Sequence, residues 1–187
     1  MHNYHDVFQK FPAQASFEKK KPLLSWRVHL LPYLDVGVNA GGNDLYKEFH
    51  LDEPWDSPHN KKLIERMPAV YQNPNRDNRD FKTNYLVVSG ENTMFPGEEA
   101  VAIRQVTDGT SNTIMVVEAD EAVIWTKPQD WESDEEQPMK GLGGLRSGGF
   151  FGLRADGSVR FHSVHIDPGL IRALLTPAGG EVVPNGF

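Results

Sequence analysis

Three residues near the carboxyl end have side chains that commonly bind transition metals. His162, His165 and Asp167 lie close together in the sequence, and imidazole and carboxylate groups are frequent zinc ligands. His162, however, falls in a predicted strand, and Asp167 stands immediately before a predicted helix. At that position an aspartate caps free backbone N–H groups without any metal. We therefore expect a capping role for Asp167 and keep a transition-metal site as the alternative.

Oxygen-bearing side chains flank a predicted strand in the middle of the chain. Asp108 and Asn112 precede this strand, and Glu118, Asp120 and Glu121 lie just after it. Clustered oxygen ligands suit calcium, so we expect no cofactor and keep calcium as a second metal hypothesis. The alternating Asp-x-Asp-x-Asp pattern of calcium-binding loops is missing from these residues.

The segment 108–113 contains Ser111, which could act as a nucleophile or approach a phosphate. It lacks the strand, glycine turn and helix of a phosphate-binding loop, and no histidine or acid is paired with Ser111 by spacing. Asp, Asn, Ser and Thr side chains bind nearby backbone groups in turns. A rigid turn that enters a strand is therefore favoured over catalysis. For His2 and His5, the polar face of a helix is likewise favoured over metal binding.

Large aromatic side chains could form a platform for a sugar or a peptide, but in loop-rich domains they more often anchor the core. Trp131 is the one that we expect to be exposed, because it lies in the acidic segment 127–140, which is predicted to be a surface loop. An exposed tryptophan is a candidate contact for a protein partner. The aromatic set comprises Trp26, Trp55, Trp125, Trp131, Tyr33, Tyr71 and Tyr85.

Composition excludes several function classes. The net charge is −7, from 19 basic and 26 acidic residues, so the surface repels nucleic acid. The chain has no cysteine, which excludes disulfides, thiolate catalysis and cysteine-based zinc sites. No apolar run reaches the roughly 18 residues of a membrane span. We expect either a cytoplasmic protein or one whose export and anchoring segment is missing from this sequence.

The first half of the chain predicts short helices. In residues 2–11, Tyr4, Val7, Phe8 and Phe11 recur with helical spacing, and Pro12 ends the pattern. Ser25 is a candidate cap for a helix through residue 34. Two further short helices are predicted at about 43–49 and 57–66.

The second half predicts an antiparallel sheet. Segments 83–89 and 113–118 are short and rich in β-branched residues, and 123–126 is a further candidate strand. Asp156 and Gly157, between two extended runs, predict a type I′ hairpin turn, with Gly152 opposite Phe161. A helix is expected from 168 to 175. This order of elements is typical of an α+β fold.

Several strings, taken together, resemble a large bacterial family of unknown function, domain of unknown function 1559. Members begin with a type IV prepilin leader and one long apolar helix, which precede a globular region. In that family a late histidine is followed by nine residues and then Asp-Gly; here Arg146 occupies the histidine position. The strings that carry the resemblance are residues 2–6, 11–12, 25–28, 51–60, 83–85, 108–114 and 155–161.

The resemblance implies a pilin-like fold in which an N-terminal helix packs on an antiparallel sheet, with several short helices and long ordered loops. We expect a single domain over 1–187, in which 1–12 is the end of the pilin-type helix. Residues 13–68 would form a region of helices and loops, and 69–187 the sheet, the late hairpin and the last helix.

By the same resemblance we expect a non-enzymatic head of a pseudopilin-like envelope or surface protein. It would act outside the cytoplasm, in self-assembly or partner binding within a pilus-like or secretion apparatus. The membrane would be reached only through the missing apolar helix. The alternatives are a soluble module that binds a glycan or a peptide and, less favoured, a hydrolase centred on Ser111 or on the pair His162 and His165.

Overall fold

The computed structural model describes residues 1–34, 42–134, 136–181 and 183. It is an α+β fold, as the order of predicted elements indicated, with a two-stranded sheet, a five-stranded sheet and short helices. Glu135, in the middle of the predicted acidic loop, lies outside the described residues.

The first helix, α1, spans His2–Phe8 and is shorter than predicted. It ends because Gln9 takes a left-handed conformation, with φ 58°, and its N–H donates to the His5 carbonyl. Phe11 is fully buried beyond the helix, whereas Val7 and Phe8 are 61% and 50% exposed. The helical spacing of these residues therefore does not produce one buried apolar face.

Hydrogen bonds attach α1 and the residues after it to neighbouring segments. The Asn3 amide donates to the Tyr33 carbonyl at 3.2 Å, and the Ile103 N–H donates to His5 Nε2 at 3.3 Å. The Phe11 N–H donates to the Val101 carbonyl at 2.8 Å. These partners lie in loops and short 3-10 turns. Helix α1 is therefore not a long helix that packs along the sheet.

The region from residue 15 to residue 71 is built from very short elements. Ser25 caps its helix as predicted, since its hydroxyl accepts from the Arg27 N–H. The helix stops at His29 instead of residue 34, because Pro32 continues the chain as a 3-10 turn. The elements are β1 (Ala15–Glu18), β2 (Lys21–Ser25), α2 (Trp26–His29), α3 (Gly42–Glu48) and 3-10 helices at Leu31–Tyr33, Asn60–Arg66 and Ala69–Tyr71.

The main sheet has the strand order β5-β3-β4-β6-β7. Its neighbours are antiparallel, except that β5 runs parallel to β3. The two segments predicted at 113–118 and 123–126 are one eleven-residue strand, β4. The strands are β3 (Lys82–Ser89), β4 (Ile114–Ile124), β5 (Trp131–Glu132), β6 (Gly149–Arg154) and β7 (Val159–Ser163).

Each face of this sheet carries a hydrophobic cluster. On the first face, Val87 and Val116 pack with the helices and turns of the amino-terminal half. On the second face, Leu86 and Val117 pack with Trp131 and with helix α4 (Pro168–Leu175). Alternation of side chains along β3 and β4 sends neighbouring residues to opposite faces, so both sides of the sheet are covered.

A buried ion pair connects the first half of the chain to the sheet. Arg27 Nη2 lies 2.7 Å from Asp130 Oδ1, and both side chains are fully buried. The same oxygen accepts from Trp26 Nε1 and from the Val87 N–H, each at 3.0 Å. Burial raises the pKa of Asp130, and the Arg27 guanidinium acts in the opposite direction. The pair therefore depends on its hydrogen bonds to remain ionised.

The late hairpin is confirmed, but the predicted turn type and register were wrong. Asp156 does not have a positive φ, while Gly157 has φ 88°. The Gly157 N–H donates to the Arg154 carbonyl and the Arg154 N–H to the Ser158 carbonyl. This is the three-residue loop in which a type I turn is followed by a left-handed glycine. Gly152 consequently pairs with Arg160 instead of Phe161.

Candidate functional site

A groove of about 380 Å³ lies on the first face of the sheet. Its walls are mostly apolar, as is common for binding pockets, and its acidic wall residue is Glu118. Phe151 and Val159, at one end, are 37% and 59% exposed. The lining residues are Met1, Trp26, Leu30, Leu34, Val70, Tyr71, Tyr85, Val116, Val117, Glu118, Phe151, Leu153 and Val159.

Glu118 is the buried acid of this groove. It lies on β4 opposite Tyr85 of β3, and only 2% of its surface is exposed. One oxygen accepts from Asn73 Nδ2 at 2.8 Å, and both accept from Arg146, at 2.5 Å from Nε and 3.0 Å from Nη2. A carboxylate held by several charge-assisted hydrogen bonds tolerates burial.

Arg146 is the cation of this pair, and its side chain is 28% exposed. Its guanidinium carbon lies 4.8 Å from the centre of the Phe151 ring, a cation–π distance. With the side-chain amide of Asn75 assigned in the flipped orientation, which satisfies both of its polar atoms, its oxygen accepts from both terminal nitrogens of Arg146 at 3.1 and 2.8 Å. The hydrogen bond from Arg146 to Glu118 raises the pKa of Arg146. Sequence patterns did not point to this network, because its members come from three distant segments.

Comparison with protein families identifies the chain. Residues 1–132 match the model of the family described as "Protein of unknown function (DUF1559)". The chain belongs to this family. The match confirms the bacterial family that the sequence motifs resembled. Neither the curated proteins nor the solved structures contain a significant match to this DUF1559 chain.

The structure does not bring the calcium candidates of this DUF1559 chain together. Asp108 accepts from the N–H groups of Gly179 and Gly180, at 2.6 and 3.1 Å, and so holds the carboxyl-terminal loop. Asn112 donates to the Asp108 carbonyl. Among the described residues, no group of three or more histidines, aspartates and glutamates is placed to hold a metal ion.

The remaining calcium candidates have other partners. Asp120 accepts from the Gly144 N–H at 2.6 Å and from the Leu145 N–H at 3.3 Å, so it holds the loop before β6. Glu118 is engaged by Arg146 and Asn73. Asp108, Asn112, Glu118 and Asp120 therefore each stabilise a different part of the backbone or an ion pair, and Glu121 is exposed at the end of the set.

The three transition-metal candidates near the carboxyl end also have different structural roles. Asp167 caps α4, since its Oδ1 accepts from the N–H groups of Gly169 and Leu170 at 2.9 and 3.0 Å. His162 is buried on β7 and stacks on Phe150, with ring centres 5.3 Å apart. His165 is exposed in the loop between β7 and α4. The expected capping role of Asp167 is confirmed.

The expected exposure of Trp131 was wrong. Its side chain is only 7% exposed, because segment 127–140 contributes the short strand β5, whose Trp131 pairs with Val88 of β3. The indole Nε1 donates to the Lys140 carbonyl at 2.9 Å. Trp131 thus anchors the cluster on the second face of the sheet, and a partner would have to displace neighbouring residues to contact it.

The other polar candidates of the DUF1559 chain serve backbone structure. Ser111 lies in a 3-10 turn, and its carbonyl accepts from Arg154 Nη1 at 2.6 Å. The His5 ring accepts from the Ile103 N–H, and the His2 ring meets Phe11 edge-on, with ring centres 5.6 Å apart. Asp156 accepts from the Ser158 N–H inside the hairpin turn. The role of Asp156 and Gly157 in forming this turn is confirmed, although the turn type differs.

No helix among the described residues has the length and apolar composition that crossing a bilayer requires.

Proposed function

We propose that this DUF1559 chain is a non-enzymatic head domain of a pseudopilin-like envelope or surface protein. The observation that carries the proposal is the environment of α1. Three hydrogen bonds attach α1 and its continuation to the body through Asn3, His5 and Phe11. Val7 and Phe8, on the same helix, remain exposed. Such a helix is suited to contact a partner while the body holds it in place.

Aromatic contacts extend this exposed surface. The Tyr4 and Phe8 ring centres are 4.4 Å apart, and the Phe8 ring meets Tyr33 edge-on at 5.9 Å. Exposed aromatic and aliphatic side chains that adjoin one another are typical of protein contacts, because their burial releases water from apolar surface. We propose protein partners or further copies of the same chain for this surface.

The roles of the acidic residues support a non-enzymatic function. Asp108, Asp120 and Asp167 each accept backbone N–H groups in loops or at a helix start. A general base needs a carboxylate within reach of a substrate proton, and these three carboxylates are engaged elsewhere. The glycan-binding alternative is weakened because Trp131, its leading candidate, is buried. The hydrolase alternative stays a prediction.

The test uses the full natural reading frame in its own bacterium. We expect its product in the envelope fraction, and we expect in-cell crosslinking to trap it in complexes. Replacing Val7 and Phe8 together by serine should reduce the crosslinked yield several-fold without lowering the melting temperature. Leu51→Ser is the control, since Leu51 is also an exposed apolar residue but lies outside α1 and outside the groove. A product found only in the cytosol, or an unchanged crosslinked yield, would contradict the proposal.

A further inference from the structure

Strand β7 forms one edge of the main sheet. Among the described strands, β6 is its neighbour on one side, and no strand lies on the other. Two hydrogen bonds at the ends of the hairpin show which backbone groups are directed at β6. The Arg154 N–H donates to the Ser158 carbonyl at the turn, and the Val164 N–H donates to the Gly148 carbonyl. The even-numbered residues from 158 to 164 therefore form the hydrogen-bonded pairs with β6.

The odd-numbered residues of β7 direct their backbone groups away from the sheet. In an antiparallel ladder, a residue outside a hydrogen-bonded pair points its N–H and carbonyl to the other side of its strand. Val159 and Phe161 are such residues, and within the described ranges no group makes a hydrogen bond with their N–H or carbonyl groups. The edge thus presents two donors and two acceptors with the spacing of a strand, a pattern that an added strand satisfies.

The side chains along this edge indicate the sequence of the strand that would fit it. Val159 and Phe161, on the first face of the sheet, are 59% and 49% exposed, and the Phe161 ring meets Phe151 edge-on with centres 5.4 Å apart. Arg160 lies between them, on the opposite face, and is exposed. In the part of the chain that the structure describes, no aspartate or glutamate forms an ion pair with Arg160. Apolar residues that alternate with an acid complement this edge.

The same arginine disfavours a second copy of this chain as the added strand. Antiparallel pairing of β7 with β7 of another copy, centred on residue 160 or 161, places the two Arg160 side chains opposite or diagonal to each other. Like charges in these positions are destabilising, and charged residues commonly protect edge strands from self-pairing. An acid from a different protein turns this repulsion into attraction. Charge therefore favours a different protein over a second copy.

We propose that β7 binds an extended segment of another protein by strand addition. The segment pairs antiparallel with β7, places apolar side chains beside Val159 and Phe161, and places an acidic side chain opposite Arg160. Its backbone supplies hydrogen-bond partners for the edge, and its alternating apolar and acidic residues supply selectivity. This inference does not depend on the proposed role of α1, because its test leaves Val7 and Phe8 unchanged.

The first experiment uses the peptide acetyl-Thr-Val-Glu-Val-Thr-amide, which has the length of β7. Its glutamate lies opposite Arg160 when its valines lie beside Val159 and Phe161. NMR of the whole chain measures amide hydrogen exchange with and without the peptide at millimolar concentration. Exchange of the Val159 and Phe161 N–H groups should slow several-fold. The N–H groups of Arg160 and His162, which are directed at β6, should keep their exchange rates.

Exchange of charges tests the acidic residue of the partner. A peptide with lysine in place of glutamate should bind several-fold more weakly than the glutamate peptide, and salt should reduce the difference. Arg160→Glu should reverse the preference. Arg104→Gln, which changes an exposed arginine outside β7, should leave the preference unchanged. If Arg160→Glu lowers the melting temperature, Arg160→Gln replaces it and should abolish the preference.

A methylated peptide tests the main-chain hydrogen bonds separately. The glutamate peptide with every backbone nitrogen methylated keeps its side chains but cannot donate backbone hydrogen bonds, so it should not bind. Equal binding of this peptide, unchanged exchange at Val159 and Phe161, or the native preference in the Arg160 variant would each overturn the proposal. Protection of the same N–H groups that increases with protein concentration, without peptide, would assign the edge to a second copy instead.

Discussion

Arg146 holds the buried carboxylate of Glu118 through Nε and Nη2, while its own guanidinium reaches the surface beside Phe151. The two residues come from the loop before β6 and from the middle of β4. The sequence resemblance implied a histidine at position 146, and the pair shows what Arg146 contacts in the present chain. The pair of Arg146 and Glu118 connects the loop before β6 to the apolar groove.

Removing Arg146 should destabilise the protein through Glu118. In Arg146→Ala the carboxylate stays buried with Asn73 as its remaining side-chain donor, which should cost about 2 kcal/mol of unfolding free energy. Glu118→Gln in the same background should recover part of that loss, because an amide is less costly to bury than a charge. Urea unfolding of both single variants and the double variant measures the coupling. Additive effects would contradict a direct pair.

The ion pair between Arg27 and Asp130 should be more sensitive to substitution. Arg27 also donates to the Tyr85 carbonyl and to the Ser25 hydroxyl. Lysine keeps the charge but cannot reproduce these donors, so we expect Arg27→Lys to lose about 3 kcal/mol. The exposed pair of Lys47 with Asp44 provides the control, and Lys47→Ala should change stability little. A tolerated Arg27→Lys would show that packing, not the hydrogen bonds, holds this region.

His29 should make stability depend on pH. Burial lowers its pKa from 6.5 to about 4, so between these values the unfolded chain binds a proton that the folded chain does not. Its contribution is therefore complete above about pH 6.5 and is lost as the pH falls toward 4.

We expect His29 to account for a loss of about 1–2 kcal/mol between pH 7 and pH 5. Denaturant unfolding at both pH values, in the native chain and in His29→Gln, should show a smaller loss in the variant. His165→Gln, which removes an exposed histidine, should keep the native dependence. An identical pH dependence in His29→Gln would contradict the assignment.

Two glycines of the hairpin should respond to alanine for different reasons. At Gly149 an added Cβ would lie 2.7 Å from the Phe161 ring and would also meet the backbone of His162. At Gly157 an added Cβ would make only an ordinary contact with the His2 ring, 3.5 Å from Nε2, but φ 88° strains any residue with a Cβ.

We expect Gly157→Ala to cost about 1 kcal/mol. Gly149→Ala should cost more, up to about 3 kcal/mol, because the strands must separate. Thermal unfolding of both variants ranks their losses of stability. A smaller loss in Gly149→Ala than in Gly157→Ala would show that β7 can shift without losing its pairing with β6.

Asp167 allows the cap and the metal interpretations to be separated. Asp167→Ala should lower stability by about 1 kcal/mol, because two N–H groups of α4 lose their acceptor. Asn, which also caps helices, should restore most of it. The losses should be the same with and without zinc. A zinc-dependent stabilisation that disappears in Asp167→Asn would instead support a metal site.

Local patterns in the sequence were sufficient for several elements. Ser25 and Asp167 cap helices because a short polar side chain can reach the free N–H groups of the following turn, which depends only on neighbouring residues. Gly157 supplies the positive φ of the hairpin for the same local reason. The β-branched runs of β3 and β4 indicated strands that are buried on both faces. The α+β order followed from these local signals, and the family followed from the strings that resemble it.

Other features depended on residues that are distant in the sequence. Arg27 meets Asp130, and Glu118 meets Arg146, only when β3, β4 and their flanking loops are assembled. The free energy of burying a charge depends on the partner that folding brings to it. Trp131 was assigned to the surface from its acidic neighbours, but pairing of β5 with β3 buried it. Local chemistry therefore determined caps, turns and strands from the sequence alone, while the tertiary structure decided which charges are paired and which aromatic residues are exposed.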